Sequence, residues 1–355
     1  MTALSRKERG LVVVAAAASA LAGALNAVHA LPILLFAVAA VALACLASIV
    51  GDATEQVGAR LGPGATGVLQ SGLGNLPELF IAIFALRAGL VTVVQAALIG
   101  SILSNSLLVL GLAFLVGGLR HGSQRFASAP PRMIATLMFL ETAALAVPTL
   151  AYTIHTPASA HEDALSIACA LVLLAVFIAS IPVSIRGGPT TVTSAVEARE
   201  VAPWPMWLAA GLLAVAGLAA AFVSDWFVTA LTPAMNALGI SEAFAGLVIV
   251  AIAGNAVENV VGIQLAADNK PDYAISVILN SSLQVALALT PVLVLLSFVI
   301  GGTHLTLVLP PLLVAAVALA VVSSNLIVFD GESIWMEGVA LIGLYLIIAA
   351  SFWWG

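Results

Sequence analysis

Gly74-Asn75-Leu76-Pro77-Glu78 and Gly254-Asn255-Ala256-Val257-Glu258 lie 180 residues apart, each inside an otherwise apolar run. Adding the same 180 to Ser101 reaches Ser281, so Gly100-Ser101-Ile102-Leu103-Ser104 falls in register with Asn280-Ser281-Ser282-Leu283-Gln284. A single Gly-Asn-x-x-Glu is a common accident. Two of them, each followed at equal distance by a polar patch on the next apolar run, mark an internal repeat.

The chain around these motifs cannot be water-soluble. Of 355 residues, 62% are hydrophobic and 8% charged, with a mean hydropathy of +1.18, whereas a soluble domain carries about 25% charged residues. So little charge cannot cover a water-facing surface, and the solvent must be lipid. The formal charge of -6 is modest, and no basic cluster suggests a nucleic-acid partner. Cys45 and Cys169 both lie in apolar runs and read as small core residues rather than a disulfide or metal pair. Arg6, Lys7 and Arg9 before the run from Leu11 imitate a secretory signal, but apolar segments continue to the last residue, so a first membrane helix is the better reading.

A bilayer core of about 30 Å needs roughly 20 apolar residues per helix. Eleven such runs are predicted, near 11–28, 31–50, 64–86, 92–117, 133–153, 164–183, 205–222, 242–266, 273–300, 305–328 and 334–353. The longest polar interruption, Ser184 to Pro205, reads as a linker between two halves. With the N-terminus inside, the inner segments collect Arg6, Lys7, Arg9, Arg60, Arg120, Arg125, Arg132, Arg186, Arg199 and Lys270, and the outer segments keep Arg87. That bias supports an odd number of helices and a C-terminus outside. The motifs fall on the third and eighth helices, so the two copies cross the membrane in opposite directions. Inverted repeats place their substrate site near the midplane, where the copies meet.

Glu78 and Glu258, with Glu141 and Glu337, are the acidic residues read as lying within apolar helices. A charge at helix centre costs about 2.5–3.5 kcal/mol on insertion scales, so such groups face a cavity and carry function, or serve as hydrogen-bonded structural carboxyls. Asn75 and Glu78, like Asn255 and Glu258, are three residues apart and share a helical face. Ser101 with Ser104, and Ser281 with Gln284, repeat that spacing on the following helices. If the four helices converge, they offer two carboxylates with amide and hydroxyl oxygens, a hard-ligand set that suits Ca²⁺ and also takes Na⁺. No Cys or His stands at ligand spacing for a soft metal. Pro77, which cannot donate to the carbonyl of Leu73, and Gly74 and Gly254 predict locally broken helices, either lining a cavity or serving as packing kinks. Two neighbouring carboxylates cannot cheaply stay ionised together in a low-dielectric site, so they hold either a cation or protons. Competition at the same oxygens gives antiport. Glu141 reads as pathway-lining or internally paired, and Glu337, with Asp330 and Glu332, as capping or vestibule groups at the start of the last helix.

These residues also carry a resemblance. The stretch 74–118, GNLPELFIAIFALRAGLVTVVQAALIGSILSNSLLVLGLAFLVGG, closely resembles the first repeat of the Ca²⁺/H⁺ antiporters of the cation/Ca²⁺ exchanger superfamily. Ser241 to Ser297, with SEAFAGLVIVAIAGNAVEN and SSLQVALALTPVLVLLS, resembles the second repeat, and DGESIWMEGVALIGLYLIIA from Asp330 resembles the last helix. The resemblance implies an all-α, sodium/calcium exchanger-like membrane protein of about 11 transmembrane helices. Residues 1–30 would form an accessory helix, 31–183 the first five-helix repeat, 184–204 a cytoplasmic linker, and 205–355 the second, inverted repeat. It implies that Glu78 and Glu258 bind the transported Ca²⁺ and the protons, with Asn75, Asn255, Ser101, Ser104, Ser281 and Gln284 around them. Pro77 stands where the family commonly has Thr, Asn259 where it has His, and Asn280 where it has Gly. Those departures keep Na⁺/H⁺ or K⁺/H⁺ exchange, or mixed selectivity, as the alternative reading.

The expected substrates are therefore Ca²⁺ and H⁺, with no cofactor, in a bacterial inner membrane, and a homodimer is compatible with the sequence. An enzyme would need a nucleophile or metal cluster at the midplane, which the sequence does not offer. A purely structural membrane protein would leave the paired carboxylates in register without a reason.

Overall fold

The computed structural model describes residues 4–29, 31–61, 69–127, 129–186 and 204–354. The expected linker at 184–204 lies almost wholly outside these residues, as does the side chain of Glu258. Twelve helical segments carry the fold. They are α1 (Arg6–Ala27), α2 (Pro32–Leu61), α3 (Leu76–Arg87), α4 (Val91–His121), α5 (Ala129–Thr153), α6 (Glu162–Arg186), α7 (Met206–Leu238), α8 (Glu242–Gly254), α9 (Ala256–Ala267), α10 (Pro271–Ile300), α11 (Pro311–Val328) and α12 (Trp335–Ser351). Among the described residues, eight helices are long and apolar enough to cross a membrane, and the pair of α8 with Asn259–Ala267, bent by 62°, would make a ninth. α12, at 17 residues, is a shorter apolar helix.

The surface is what a lipid-facing protein requires. Val13, Val41, Val215, Phe222, Val299 and Ile347 are exposed, while Asn105, Ser106, Asn255 and Ser282 are fully buried. A soluble monomer does not expose apolar side chains on this scale, and polar residues inside a membrane turn toward one another. α7 lies along α2, α11 along α5, and α12 along the second half of α4, whereas the first half of α4 packs on α8.

Two helices are longer than the sequence predicts. α2 reaches Leu61 rather than residue 50, and α7 reaches Leu238 rather than residue 222, carrying Pro233 inside it. Asp52, Glu55 and Asp225 are therefore on helices, and the acids expected there were too few. At 1.5 Å per residue, helices of 30 and 33 residues span about 45–50 Å, more than a hydrocarbon core of about 30 Å. Helices of that length can reach past the hydrocarbon, where a carboxylate costs little.

The start of the tenth predicted helix is also corrected, since residues 305–310 are extended and the helix begins at Pro311. Pro310 and Pro311 explain this, because a residue before proline is pushed out of the helical region and proline itself suits a first helical turn. The extended segment is buried at Leu305, Leu307 and Leu309. Its backbone N–H groups donate to Ser297 Oγ (2.9 Å), Ser166 Oγ (2.9 Å) and Thr149 Oγ1 (3.0 Å), and Gln95 Nε2 donates to the carbonyls of Thr306 and Val308, both at 3.0 Å. Side chains from four helices thus do the work of a partner strand, which is what lets irregular backbone sit inside a membrane protein.

At the opposite end of α5, β1 (Gln124–Arg125) pairs antiparallel with β2 (Glu332–Ser333), joining the α4–α5 connection to the α11–α12 connection. Arg125 Nε lies 3.5 Å from the Glu332 carboxylate, and Glu337 accepts the backbone N–H of Ile334 at 3.0 Å, the capping role expected of it.

Candidate cation site at two broken helices

Both Gly-Asn motifs break their helices in the same way. Asn75 has φ -96° and ψ 22°, and Asn255 has φ -92° and ψ 22°. A π turn, Gln70–Gly74, leads into Asn75 and α3 then begins afresh, with Pro77 in its first turn. The break therefore falls at the asparagine. Pro77 sits where its missing N–H costs nothing rather than in the middle of a kinked helix. Glu78 occupies the same first turn, where the exposed N–H groups of the helix start favour negative charge.

Glu78 is buried, at 8% exposure. Its carboxyl lies against Gly254, at the break between α8 and α9. A Cβ at that glycine would come within 2.6 Å of Glu78 Cγ and 2.9 Å of Oε1. Glycine is needed there because no other residue leaves room for the carboxyl. Asn255 then turns inward, and its Nδ2 donates to Ser101 Oγ at 2.8 Å and to the carbonyl of Ala251 at 3.0 Å. Glu78 and Ser101 line one cleft together with Ala97, Leu98, Val250 and Leu289.

One turn further along α4, Asn105 Nδ2 donates to Ser281 Oγ at 3.0 Å, and Ser106 and Ser282 share a hydroxyl contact at 3.2 Å. With amide hydrogens committed to these bonds, Asn255 Oδ1 and Asn105 Oδ1 remain buried without a hydrogen-bond partner, as does Ser104 Oγ. Buried polar atoms are seldom left so. Buried oxygens left without donors are what a hard cation seeks.

The structure thus brings together Glu78, Ser101 and Asn255, and places Ser281 one hydrogen bond from α4. Asn75 is buried beside the break with Nδ2 unpartnered, and Gln284 is half-buried with no hydrogen bond to the other described site residues. Among the described residues, no group of three or more His, Cys, Asp or Glu gathers to hold a metal. Three members escaped the sequence reading: Asn105, Ser106 and Ser282. For Asn105 and Ser106 the reason is the π turn at Ser104–Val109, whereas Ser282 lies on α10 beside Ser281 and falls outside an i, i+3 count from it. The π turn takes up an extra residue, which rotates the rest of the helix by about 100° and defeats an i, i+3 count. The signal available was the adjacency of Asn105 to Ser104 and its place one turn beyond Ser101.

A protein of broken helices around a buried carboxyl and amide oxygens belongs with ion exchangers, and the comparison with known proteins agrees. The chain belongs to the sodium/calcium exchanger protein family, whose model matches residues 31–186 and 208–354. It is 36% identical over 335 residues to a Ca²⁺/H⁺ antiporter of Synechocystis sp., covering 89% of this chain and 90% of that protein. It is 36% identical over 326 residues to the Ca²⁺/H⁺ antiporter ChaA of Bacillus subtilis, covering 90% and 91%. The solved structure of native YfkE superposes with a TM-score of 0.83 at 32% identity, over 97% of this chain and 99% of that one.

Proposed function

We propose that this protein exchanges Ca²⁺ for protons across a bacterial inner membrane by alternating access, with Glu78 and Glu258 binding the cation and the protons in competition. The single observation that carries the reading is the Glu78 carboxyl seated against the α8–α9 break, in a cleft shared with Ser101, whose hydroxyl holds Asn255. Two relatives 36% identical over nine-tenths of the chain are Ca²⁺/H⁺ antiporters, which supports Ca²⁺ as the cargo. Around Glu78 the amide and hydroxyl oxygens of Asn75, Asn255, Ser101, Ser104, Ser281 and Gln284 would complete the ligand set, with Asn105 added. A neutralised site, holding cation or protons, can be reoriented, whereas an empty charged one costs too much to move through a low-dielectric barrier.

The matching breaks at Asn75 and Asn255 support two inverted five-helix repeats after one accessory helix, eleven membrane helices in all. The distribution of Arg and Lys supports a cytoplasmic N-terminus and an outer C-terminus. A second reading, Na⁺ or K⁺ exchanged for protons, is favoured by Pro77 and Asn259, which remove a hydroxyl and an imidazole from positions beside the two glutamates.

Proteoliposomes with an imposed pH gradient, challenged in turn with Ca²⁺, Na⁺ and K⁺, separate the two. Ca²⁺ is expected to drive proton movement, and Na⁺ and K⁺ to leave it unchanged. Proton movement with Na⁺ or K⁺ but not Ca²⁺ overturns the first reading. Gly254→Ala is a second check, because its new methyl must displace the Glu78 carboxyl. Misplacing a reacting group by about 1 Å costs on the order of 100-fold, so exchange is expected to fall by that order. Gly72→Ala is the control, because its Cβ meets nothing within 4 Å. Equal flux from both variants would count against a site at Gly254.

A further inference from the structure

Glu141 lies outside the site just described. It stands mid-way along α5, 1% exposed, on a stripe of buried residues comprising Ile134, Met138, Leu145 and Thr149. Neither of its carboxyl oxygens has a hydrogen-bond partner. The spacing of that stripe is the core-facing side of a helix, so Glu141 points into the protein where an apolar residue would pack without penalty.

Among the described residues, the surroundings of α5 supply no counter-charge at that level. α10 runs beside it in the same direction. The backbone N–H of Ala127 donates to the Asp272 carboxylate (2.7 Å) at their starts, and Leu145 and Thr290 line a common cleft further along. Glu141 falls between these two points, beside the stretch of α10 that enters the π turn Val285–Leu289. The titratable groups of α10 are Asp272 and Tyr273, both in its first turn. α11, the main packing partner of α5, carries none from Pro311 to Val328. α6 has Glu162 and Asp163 at its start, Cys169 within the span and Arg186 at its end, and α5 itself adds Arg132 near its start and Tyr152 near its end.

A carboxylate buried there without donor or cation would be far less stable than the neutral acid, so the group holds a proton in this arrangement of the helices. The protonated form is not at rest either, because its O–H and its carbonyl oxygen both lack partners, and burying hydrogen-bonding groups unmet is unfavourable. A structural carboxyl would have a partner. One that is costly in both protonation states is suited to an arrangement other than this one.

A cleft lies near it. The cleft bounded by Gln95, Leu98, Leu145, Thr290 and Leu307 lies at the level of Leu145, one helical turn beyond Glu141. Leu98 also lines the cleft of Glu78 and Ser101. The two spaces therefore share one wall.

We propose that Glu141 is a second proton-binding site, distinct from the pair of motif glutamates, which gives its proton to water in the Leu145–Thr290 cleft when α5 shifts against α10 and α11. The carboxyl O–H bond breaks, the proton passes to water, and the carboxylate is left hydrated until a proton returns. The inference rests on the antiport reading above, and it makes the cycle carry a proton that the cation does not displace directly.

The test uses the full chain in proteoliposomes, comparing wild type with Glu141→Gln, Glu141→Asp and Glu78→Gln across a pH series, with thermal unfolding of each variant in parallel. Glu141→Gln mimics the protonated acid and should stay folded. Its Ca²⁺-driven proton flux is expected to fall roughly tenfold, within the usual range of coupling between sites, and to lose part of its pH dependence. Glu141→Asp is expected to restore the pH dependence in part. A folded Glu141→Gln protein with the wild-type rate and pH profile, or with lowered thermal stability as its sole change, overturns the proposal. If instead Glu78→Gln keeps exchanging, the central site has been misassigned, so failure of that reading and failure of this one are distinguishable.

Discussion

Glu78→Gln is expected to abolish Ca²⁺-driven proton exchange while leaving the protein folded. The amide fills the volume of the carboxyl in the cleft against Gly254 and Ser101, so thermal stability should change by no more than about 1 kcal/mol. What is lost is the ability to be either charged or neutral. A glutamine cannot release a proton, and it offers a Ca²⁺ ion a neutral dipole where the cation requires an anionic oxygen to repay its dehydration. Altering even the outer residues of a metal site commonly costs 10–100-fold, so removing the charge of a direct ligand should lower flux about 100-fold or more. The measurement is the initial rate of Ca²⁺-driven proton movement into proteoliposomes, alongside the unfolding temperature. A folded Glu78→Gln protein that still exchanges at more than about a tenth of the wild-type rate would falsify the assignment of the charge to this residue.

The cleft around Glu78 was largely legible in the sequence, and the reasons are specific. A Glu in an apolar run is a costly choice, and the second motif in register made accident a poor explanation. The bond from Asn255 to Ser101 joins two residues that spacing alone had marked. The failures lie where backbone geometry overrides period. The π turn at Ser104–Val109 hid Asn105, and the twin breaks at Asn75 and Asn255 recast Pro77 as a residue that starts a helix. The leucines at 305, 307 and 309 read as helix because an apolar run says nothing about whether its N–H groups are met by its own carbonyls or by Ser297, Ser166 and Thr149. α2 and α7 run past the predicted spans because an apolar count stops at a charge, whereas a helix can continue past the hydrocarbon into water.

Gly100→Ala is expected to damage both stability and transport, for a reason unlike that of Glu78. α4 and the π turn of α8 at Ala245–Val250 touch backbone to backbone, since a Cβ at Gly100 would land on the carbonyl and Cα of Leu247, and one at Gly246 on the carbonyl of Val93. Small residues allow such approach, and membrane helices rely on it because lipid gives them no hydrophobic drive to associate. A side chain can swing away from a new methyl, but a backbone carbonyl cannot, so the two helices must separate. Overpacking of this kind costs about 1–3 kcal/mol. The separation also falls next to the site, as Ser101 follows Gly100 and receives the bond from Asn255, while Val250 lines the cleft with Glu78. Exchange is therefore expected to drop by about tenfold or more, in step with a lowered unfolding temperature, since a small misplacement near reacting groups is costly. Gly211→Ala on α7 and Gly343→Ala on α12, where a Cβ meets nothing within 4 Å, should match wild type in both measurements. If Gly100→Ala proves as stable and as active as those controls, α4 and α8 are not held at backbone contact in the working protein, and the site built across them must be assembled in another way.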